Sequence, residues 1–235
     1  MTLEDIALQM TPGIGVKGAV HLLEHFGSAA RIFAASADEL TEGAGLRPDI
    51  ARQLLQRKAF AAAEREIAYC RRHGIAIVAS TDAGYPAVLY IKGNAEALTA
   101  RCLTLVGTRR ATPYGQAMCD RLVGELAERV PGLCIVSGLA FGIDTACHRA
   151  ALAFGMPTVG IIASALPGIT PAQHTAVARD MIEHGGAVVS ELHSQTRQNG
   201  NFYHSRNRLL AGISGGTVVV ESPVEGGSMD TARLG

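Results

Sequence analysis

From residue 75 onward, short apolar segments alternate with longer segments of helical period, and this alternation limits the possible folds more than any other feature of the chain. The apolar segments are 75–79, 102–106, 134–136, 158–162, 187–189 and 217–220. Helical patterns lie between several of them, at 114–129, 144–154 and 171–184. Strands that alternate with helices of this length form βαβ units and a mostly parallel sheet. Because the segments are apolar throughout, we expect helices on both faces, as in a Rossmann-like, doubly wound α/β domain.

The first 72 residues show helical patterns only. Apolar residues at 3–10 and 16–26 flank a Pro-Gly-Ile-Gly turn at 12–15, and a long helix is predicted over 48–72. The turn resembles a helix-hairpin-helix, in which backbone N–H groups meet DNA phosphates; a tight turn in a small helical bundle is the alternative. The sequence therefore predicts a small all-helical (SAM- or helix-hairpin-helix-like) domain over residues 1–72 and a Rossmann-like domain over residues 73–235.

Composition indicates a globular, cytoplasmic protein. Hydrophobic residues make up 48% of the chain and charged residues 18%, a globular rather than a disordered profile. No apolar run approaches the roughly 20 residues of a membrane span, and the acidic start at Glu4 and Asp5 does not resemble a secretion signal. The five cysteines form no Cys-x-x-Cys pair, so we expect buried thiols rather than a disulfide framework or a zinc site.

The charge balance requires any anion-binding site to be local. The formal net charge is +0, which argues against a protein that coats nucleic acid through bulk charge. No lysine follows Lys92, so the later cations are arginines, whose planar guanidinium suits bidentate contact with phosphate. A genome that favours arginine codons is the alternative explanation of this bias.

The loop after segment 102–106 is the strongest candidate for an anion site. Gly107 allows a sharp turn, and Arg109 and Arg110 follow it. Thr112 is a favourable N-cap with a proline next to it, so we expect a helix to begin there with free N–H groups and a positive dipole end beside the arginines. This loop does not carry the dinucleotide fingerprint Gly-x-Gly-x-x-Gly. Surface or ion-paired arginines are the alternative.

The loop from Ser137 to Gly142 is a second candidate. Its glycines, Gly138 among them, are expected to let backbone N–H groups form a nest for phosphate. Asp144 and His148 then lie four residues apart on one helix face, a spacing that fits acid–base or metal chemistry. Because no third ligand or nucleophile accompanies them, a helix cap with an i,i+4 contact is the preferred interpretation.

Two further segments combine charge or glycines with a turn. Residues 203–208 are interpreted as a polar loop in which two arginines lie near aromatic side chains, a mixture that suits single-stranded nucleic acid. Arginines bonded to sheet carboxylates such as Glu191 or Glu221 are the alternative. The Gly-Gly-Ser turn at 226–228 precedes a helix start and is another candidate phosphate site.

Together these motifs resemble the DNA-processing protein A (DprA, also called Smf) family. The matching pieces stand in the family's order: 106–115, 137–140 with 142–144 and His148, 190–191, 206–214, and 219–221 with 227–228 and 231–232. A single piece is weak evidence, whereas five in sequence are specific. The resemblance covers essentially the whole chain, since the family also has a small helical N-terminal domain.

The resemblance implies a non-enzymatic recombination mediator of natural transformation. Such a protein binds incoming single-stranded DNA, protects it and helps to load the RecA recombinase. The resemblance also implies a homodimer that uses its Rossmann-like fold without a dinucleotide or other cofactor. The residues expected to bind DNA are Gly107, Thr108, Arg109, Arg110, Ser137, Gly138, Phe141, Gly142, Arg206, Asn207, Arg208, Gly227 and Ser228.

The chain departs from the family pattern at several positions. Phe141 stands where the family usually has an arginine, which removes a charge but offers a ring for stacking on a base. Residues 170–174 replace a Tyr-Pro-x-x-Asn pattern that normally carries a nearby lysine. His204 stands where proline is usual, and it is expected to raise affinity at mildly acidic pH. We therefore expect the turn at 107–110, Arg206 and Arg208 to contribute more to binding than in relatives.

Two other classes of protein remain open. An enzyme related to the lonely-guy nucleotide phosphoribohydrolases is suggested by residues 215–217 with Glu221, although a proline, a glycine and the spacing of that group's Pro-Gly-Gly-x-Gly-Thr-x-x-Glu motif differ. A nucleotide-sensing module would bind a mononucleotide with no preference for DNA. The chain ends at Gly235, soon after a helix start near Asp230, and the resemblance predicts further sheet beyond it.

Overall fold

The computed structural model describes residues 1–79, 88–197 and 200–234, which belong to two compact units, Met1–Leu89 and Tyr90–Gly235. The first unit contains the α-helices α1 (Leu3–Gln9), α2 (Val16–Phe26), α3 (Ala29–Ala34), α4 (Pro48–Leu55) and α5 (Phe60–His73), a π-helical turn at Glu39–Gly43, and the strand β1 (Ala76–Ala79). Its fully buried side chains include Ile6, Leu22, Ile32, Leu40 and Leu54. The helices end at His73, and the predicted domain boundary after residue 72 stays a prediction.

The helix ends of the first unit follow local backbone signals. Gly27 ends α2 at the residue the sequence predicts, with a left-handed φ of 80°. The single long helix predicted over 48–72 is wrong, because the chain turns between α4 and α5, where Arg57 has a φ of 50°. After this turn, the ring of Phe60 packs edge-on against Phe33, with 4.8 Å between centroids. Tertiary packing therefore overrides the continuous helical pattern.

The second unit is built on a mostly parallel sheet. Its strands are β2 (Val88–Gly93), β3 (Cys102–Gly107), β4 (Cys134–Ser137), β5 (Thr158–Ile162), β6 (Ala187–Ser190) and β7 (Thr217–Glu221). They lie in the order β2–β6–β5–β4–β3–β7. Neighbouring strands are parallel except for β2, which pairs antiparallel with β6. The sequence predicts β3 to β7 to within about a residue at each end, but it does not predict β2.

Helices cover both faces of this sheet, which confirms the Rossmann-like, doubly wound α/β fold. They are α6 (Pro113–Arg129), α7 (Ile143–Ala153), α8 (Thr175–Glu183), α9 (Phe202–Ile213) and α10 (Gly227–Leu234). On one face, Cys119 of α6 and Cys147 of α7 pack against Leu105 of β3. On the other, the Thr104 hydroxyl donates to the Leu210 carbonyl of α9 at 2.7 Å. Among the described residues, no helix combines the length and hydropathy that a bilayer span requires.

The direction of the sheet order changes at β3. From β3 the chain proceeds through β4 and β5 to β6 on one side, whereas β7 lies on the other side of β3. In open α/β sheets, ligands bind beyond the carboxyl ends of the strands at such a switch point. A ligand site is therefore expected among the loops that follow β3 and β7.

Candidate functional site

A cavity of about 340 Å³ opens at the carboxyl ends of β3 and β7. Its walls come from the turn after β3, the start of α9 and the loop between β7 and α10, with Ala140 and Asp144 from the loop after β4 and the start of α7. Seven of the predicted DNA-binding residues line it: Gly107, Thr108, Arg109, Arg206, Asn207, Gly227 and Ser228. The fold thus brings the segments singled out in the sequence to one place.

The turn after β3 is fixed by its backbone and leaves two arginines in solvent. The Thr108 N–H donates to the Glu221 carbonyl at 2.7 Å. A side chain on Gly107 would place its β-carbon 2.6 Å from the same carbonyl oxygen, so the position requires glycine. Arg109 and Arg110 are both exposed. The turn therefore presents two guanidinium groups from a rigid backbone, the arrangement that phosphate recognition needs.

The N-terminus of α6 is already occupied by a carboxylate. Thr112 caps the helix as predicted, its hydroxyl accepting from Gly115 N at 3.1 Å, while Glu221 Oε2 accepts from Thr112 N at 3.0 Å. A side chain on Gly115 would overlap this carboxylate. The expectation of free N–H groups at this helix start is therefore wrong, because Glu221 occupies the positive end of the helix dipole. Anion binding at the turn depends on the arginines instead.

The start of the loop after β4 lies inside the protein. Ser137 is buried, and its hydroxyl donates to the Leu105 carbonyl at 2.6 Å. A side chain on Gly138 would overlap the guanidinium of Arg206 and the carboxylate of Asp144. The prediction that Ser137 and Gly138 contact phosphate is therefore wrong: both are buried, and Gly138 is needed to make room for Arg206.

The end of the same loop meets the arginine turn. Gly142 has a φ of 77°, and a side chain there would overlap the Thr108 carbonyl. The Ile143 N–H donates to that carbonyl at 3.1 Å. Phe141 precedes this contact and is 46% exposed. Gly142 thus serves the close approach of two backbones, and Phe141 lies beside the arginine turn.

Residues 203–208 belong to α9, and the polar loop predicted for them is wrong. Charged and polar residues hide the helical period in this segment, which continues into the buried Leu209 and Leu210. Tyr203, Asn207 and Leu210 line the cavity at spacings of four and three residues, which places them on one helix face. That spacing is the sequence signal that would have identified a helix here.

The two arginines of α9 have internal partners. Arg206 is 7% exposed, and its Nη1 donates to the carbonyls of Gly138 at 2.8 Å and Ile161 at 2.5 Å. Arg208 forms an ion pair with Glu191, the alternative that the sequence left open. Nη1 of Arg206 is therefore committed to backbone carbonyls within the protein, and a contribution of Arg206 to DNA binding stays a prediction. For Arg208, contact with DNA stays a prediction.

The N-terminus of α10 borders the cavity. A helix is present here as predicted, but it begins at Gly227, within the Gly-Gly-Ser segment, rather than after it near Asp230. Asn207 Nδ2 donates to the Gly227 carbonyl at 3.2 Å and so joins α9 to α10. The Ser228 and Ser222 hydroxyls lie 2.7 Å apart. A positive helix end next to the arginine turn adds to the attraction for an anion.

Asp144 lies in the cavity wall with little exposure. Burial raises the pKa of its carboxyl, while the positive charge of Arg206 and a hydrogen bond from Ala140 N at 3.3 Å act in the opposite direction. The predicted cap at Asp144 is wrong, because α7 begins at Ile143 with Gly142 as its N-cap. Within the described part of the chain, no group of three or more His, Cys, Asp or Glu side chains is placed to hold a metal ion.

Tyr203 lines the cavity and contacts Arg109. Local sequence patterns do not predict this contact, because the two residues lie far apart in the chain. The ring centroid of Tyr203 lies 4.9 Å from Cζ of Arg109, within the range of a cation–π contact. The next residue, His204, is exposed, with Nδ1 3.9 Å from Oδ2 of Asp230. The rim of the cavity thus combines a guanidinium, an aromatic ring and an imidazole.

Fold and site together define a class: a Rossmann-like domain with an arginine-lined cavity at its switch point, where the turn after β3 lacks the dinucleotide fingerprint. Residues 69–235 match the model of the DNA recombination-mediator protein A family, which is more than half of the chain. The chain belongs to this family.

Two relatives agree with this assignment. Protein Smf of Escherichia coli (strain K12) is 36% identical over 157 residues, which cover 67% of this chain and 41% of that protein. DNA processing protein DprA of Bacillus subtilis (strain 168) is 36% identical over 148 residues, 63% of this chain and 49% of that protein. The chain therefore spans less than half the length of these two relatives.

Two solved structures share the fold. The X-ray structure of DprA from Streptococcus pneumoniae has a TM-score of 0.81 and 25% identity, and the match covers 99% of this chain and 82% of that one. The structure of DprA from Helicobacter pylori, which concerns that protein's binding of single-stranded DNA, has a TM-score of 0.60 and 27% identity. Its match covers 68% of this chain and 75% of that one.

Proposed function

We propose that this protein binds single-stranded DNA as a recombination mediator in the cytoplasm and does so without catalysis. The observation that carries the proposal is the exposed pair Arg109 and Arg110 on the turn after β3, of which Arg109 lines the switch-point cavity. Membership of the family supports it, as does the single-stranded DNA binding described for the relative from H. pylori.

The chemistry of the cavity favours a strand over an isolated anion. Arg109, Arg110 and the N-terminus of α10 attract phosphates, while the Tyr203 ring offers a surface for a base. Such contacts do not read base edges, so we expect slight sequence preference. Family membership extends the proposal to protection of incoming DNA in natural transformation, loading of RecA and a homodimer.

The position of Glu221 supports a binding protein over the phosphoribohydrolase alternative. Glu221 is the residue that suggested that group, but its carboxylate accepts from Thr112 N and lies against Gly115 at the start of α6. A carboxylate engaged in this way stabilises a helix end. We therefore expect no release of base from nucleoside monophosphates.

Single-stranded DNA is expected to bind more tightly than duplex DNA of the same sequence. Unstacked bases reach aromatic rings, whereas duplex bases do not. Titration of the protein with an unstructured oligonucleotide and with its duplex form, followed by mobility shift at physiological salt, measures this difference. Equal affinity for the two forms, or no binding of either, would contradict the proposal.

Arg110→Ala is expected to weaken binding severalfold for every sequence and to flatten its salt dependence. Loss of one phosphate contact on a single strand reduces the slope of log K against log salt by roughly 0.7. Arg101→Ala is a charge-matched control. Arg101 is exposed and lies just before β3, at the amino end of the strand, whereas Arg110 follows its carboxyl end. If both variants behave alike, Arg110 has no special part in binding.

A further inference from the structure

Phe141 presents an aromatic ring to solvent beside the arginine turn. The residue is 46% exposed. Its neighbour Gly142 lies against the backbone of the turn, where an added β-carbon would come within 2.7 Å of the Arg109 carbonyl carbon. The ring and the two guanidinium groups therefore belong to adjoining loops in direct backbone contact. Base-stacking sites on single-strand-binding proteins pair an aromatic ring with nearby positive charge in this way.

The loop that carries Phe141 is fastened from inside the protein. His174 Nδ1 donates to the Leu139 carbonyl at 2.8 Å, and the Thr145 hydroxyl donates to the Ala140 carbonyl at 2.6 Å. Leu139 is held at a φ of 57°, a conformation that a leucine adopts only when its surroundings impose it. These bonds fix the backbone on which the Phe141 ring stands.

His174 also supports the ring itself. The centroids of the Phe141 and His174 rings lie 4.8 Å apart with an angle of 68° between their planes, an edge-to-face contact. His174 is 5% exposed, whereas Phe141 is not buried by this contact. Phe141 and His174 both occupy positions at which this sequence differs from the family pattern, and their rings are in contact in the structure.

We propose that Phe141 stacks on a nucleobase of the bound strand and that His174 is the positioning residue that holds its ring. The base would lie on the Phe141 ring while a neighbouring phosphate meets Arg109 and Arg110. This inference rests on the proposed DNA binding and adds a contact that depends on the base rather than on the phosphate. A strand that lacks bases therefore separates it from the contacts of the arginines.

Phe141→Trp provides a direct probe, because the chain contains no tryptophan. We expect oligothymidylate to quench the emission of this indole and an abasic strand of equal length to leave it nearly unchanged. Phe154→Trp is the matched control: Phe154 is 50% exposed and lies at the far end of α7, roughly 16 Å along the helix. Neither strand is expected to quench the control.

Phe141→Ala is expected to weaken binding of oligothymidylate about 5-fold or more, the lower end of what one stacked base contributes. Its affinity for the abasic strand should match that of the wild type, whereas Arg110→Ala should bind both strands more weakly. Phe141→Leu keeps apolar volume but has no aromatic face, so we expect it to behave like the alanine variant.

His174→Gln tests the positioning role, since the amide retains a donor for the Leu139 carbonyl but removes the supporting ring. We expect weaker binding of oligothymidylate and unchanged binding of the abasic strand. In the Phe141→Ala background the same substitution should have no further effect, because His174 acts through the ring. A purely structural role would weaken binding of both strands equally.

The outcomes separate this inference from the proposed function. If Phe141→Ala binds oligothymidylate like the wild type, or the emission of Phe141→Trp does not change while the strand is bound, the stacking role is overturned and DNA binding stands. If the wild-type protein binds neither strand, the proposed function fails as well.

Discussion

Replacing Arg206 with methionine is expected to lower the free energy of unfolding by about 3–5 kcal/mol. Arg206 is buried, and Nη1 donates to the Gly138 and Ile161 carbonyls. Burial lowers the pKa of Arg206, and the charge of Asp144 opposes that shift. The variant would remove the Nη1 donor from two carbonyl groups and, from the buried Asp144, the stronger of the two positive charges that act on it, which is the costly way to lose a buried charge.

Urea unfolding at pH 7 measures this loss. Arg110→Met is the matched control: Arg110 is exposed, so the same substitution should stay within about 0.5 kcal/mol of the wild type. Adding Asp144→Asn to Arg206→Met should recover part of the loss, because neither charge of this pair then remains. A loss below about 1 kcal/mol for Arg206→Met would contradict a structural role of the guanidinium.

The parallel strands could be predicted because their signal is local. The segments of β3 to β7 are apolar throughout, since helices cover both faces, and each is bounded by turn residues. β2 could not be predicted in this way, because its place in the sheet is set by antiparallel pairing with β6, with Tyr90 opposite Ser190. Similarly, the break between α4 and α5 depends on packing that the helical pattern over 48–72 does not contain.

In the candidate site, too, the features encoded locally could be predicted, whereas those that depend on long-range contacts could not. The turn at 107–110 is encoded locally by a strand end, a glycine and a helix cap, so its position follows from the sequence. The structural role of Gly138 could not be predicted from the sequence. This glycine makes room for Arg206, which comes from a distant part of the chain. Glu221 reaches the start of α6 at Thr112 by an equally long-range contact. A glycine or a carboxylate in the sequence indicates that the position is structurally constrained, but it does not identify the residue that it contacts.

Lowering the pH from 7 to 5 is expected to remove about 2 kcal/mol of stability through His148 alone. The Thr158 hydroxyl donates to the Ile135 carbonyl at 2.8 Å, so its oxygen accepts from His148 Nδ1 at 2.7 Å. Nε2 of this fully buried ring has no hydrogen-bond partner among the described residues. Burial lowers the pKa of His148 to about 3, and the charges of His174 and Arg206 act in the same direction.

The direction of this change in stability follows from proton binding in the native and unfolded states. The unfolded chain protonates His148 near its ordinary pKa of 6.5, whereas the native protein does so only near pH 3. Between these values the unfolded state binds more protons, so stability falls with pH by up to about 1.4 kcal/mol per unit. Burial raises the pKa of Asp144 and of Glu191, and these carboxyl groups change stability in the opposite sense.

A variant comparison isolates His148 from those carboxyl groups. Urea unfolding of the wild type, His148→Gln and His184→Gln between pH 7 and 4.5 is expected to give a shallower acid slope for His148→Gln only. His184 is exposed and serves as the matched control. Because the difference in slope counts protons, it does not depend on how much stability the substitution itself removes. Parallel profiles for His148→Gln and the wild type would mean that native His148 takes up a proton readily, which the buried, unpaired Nε2 contradicts.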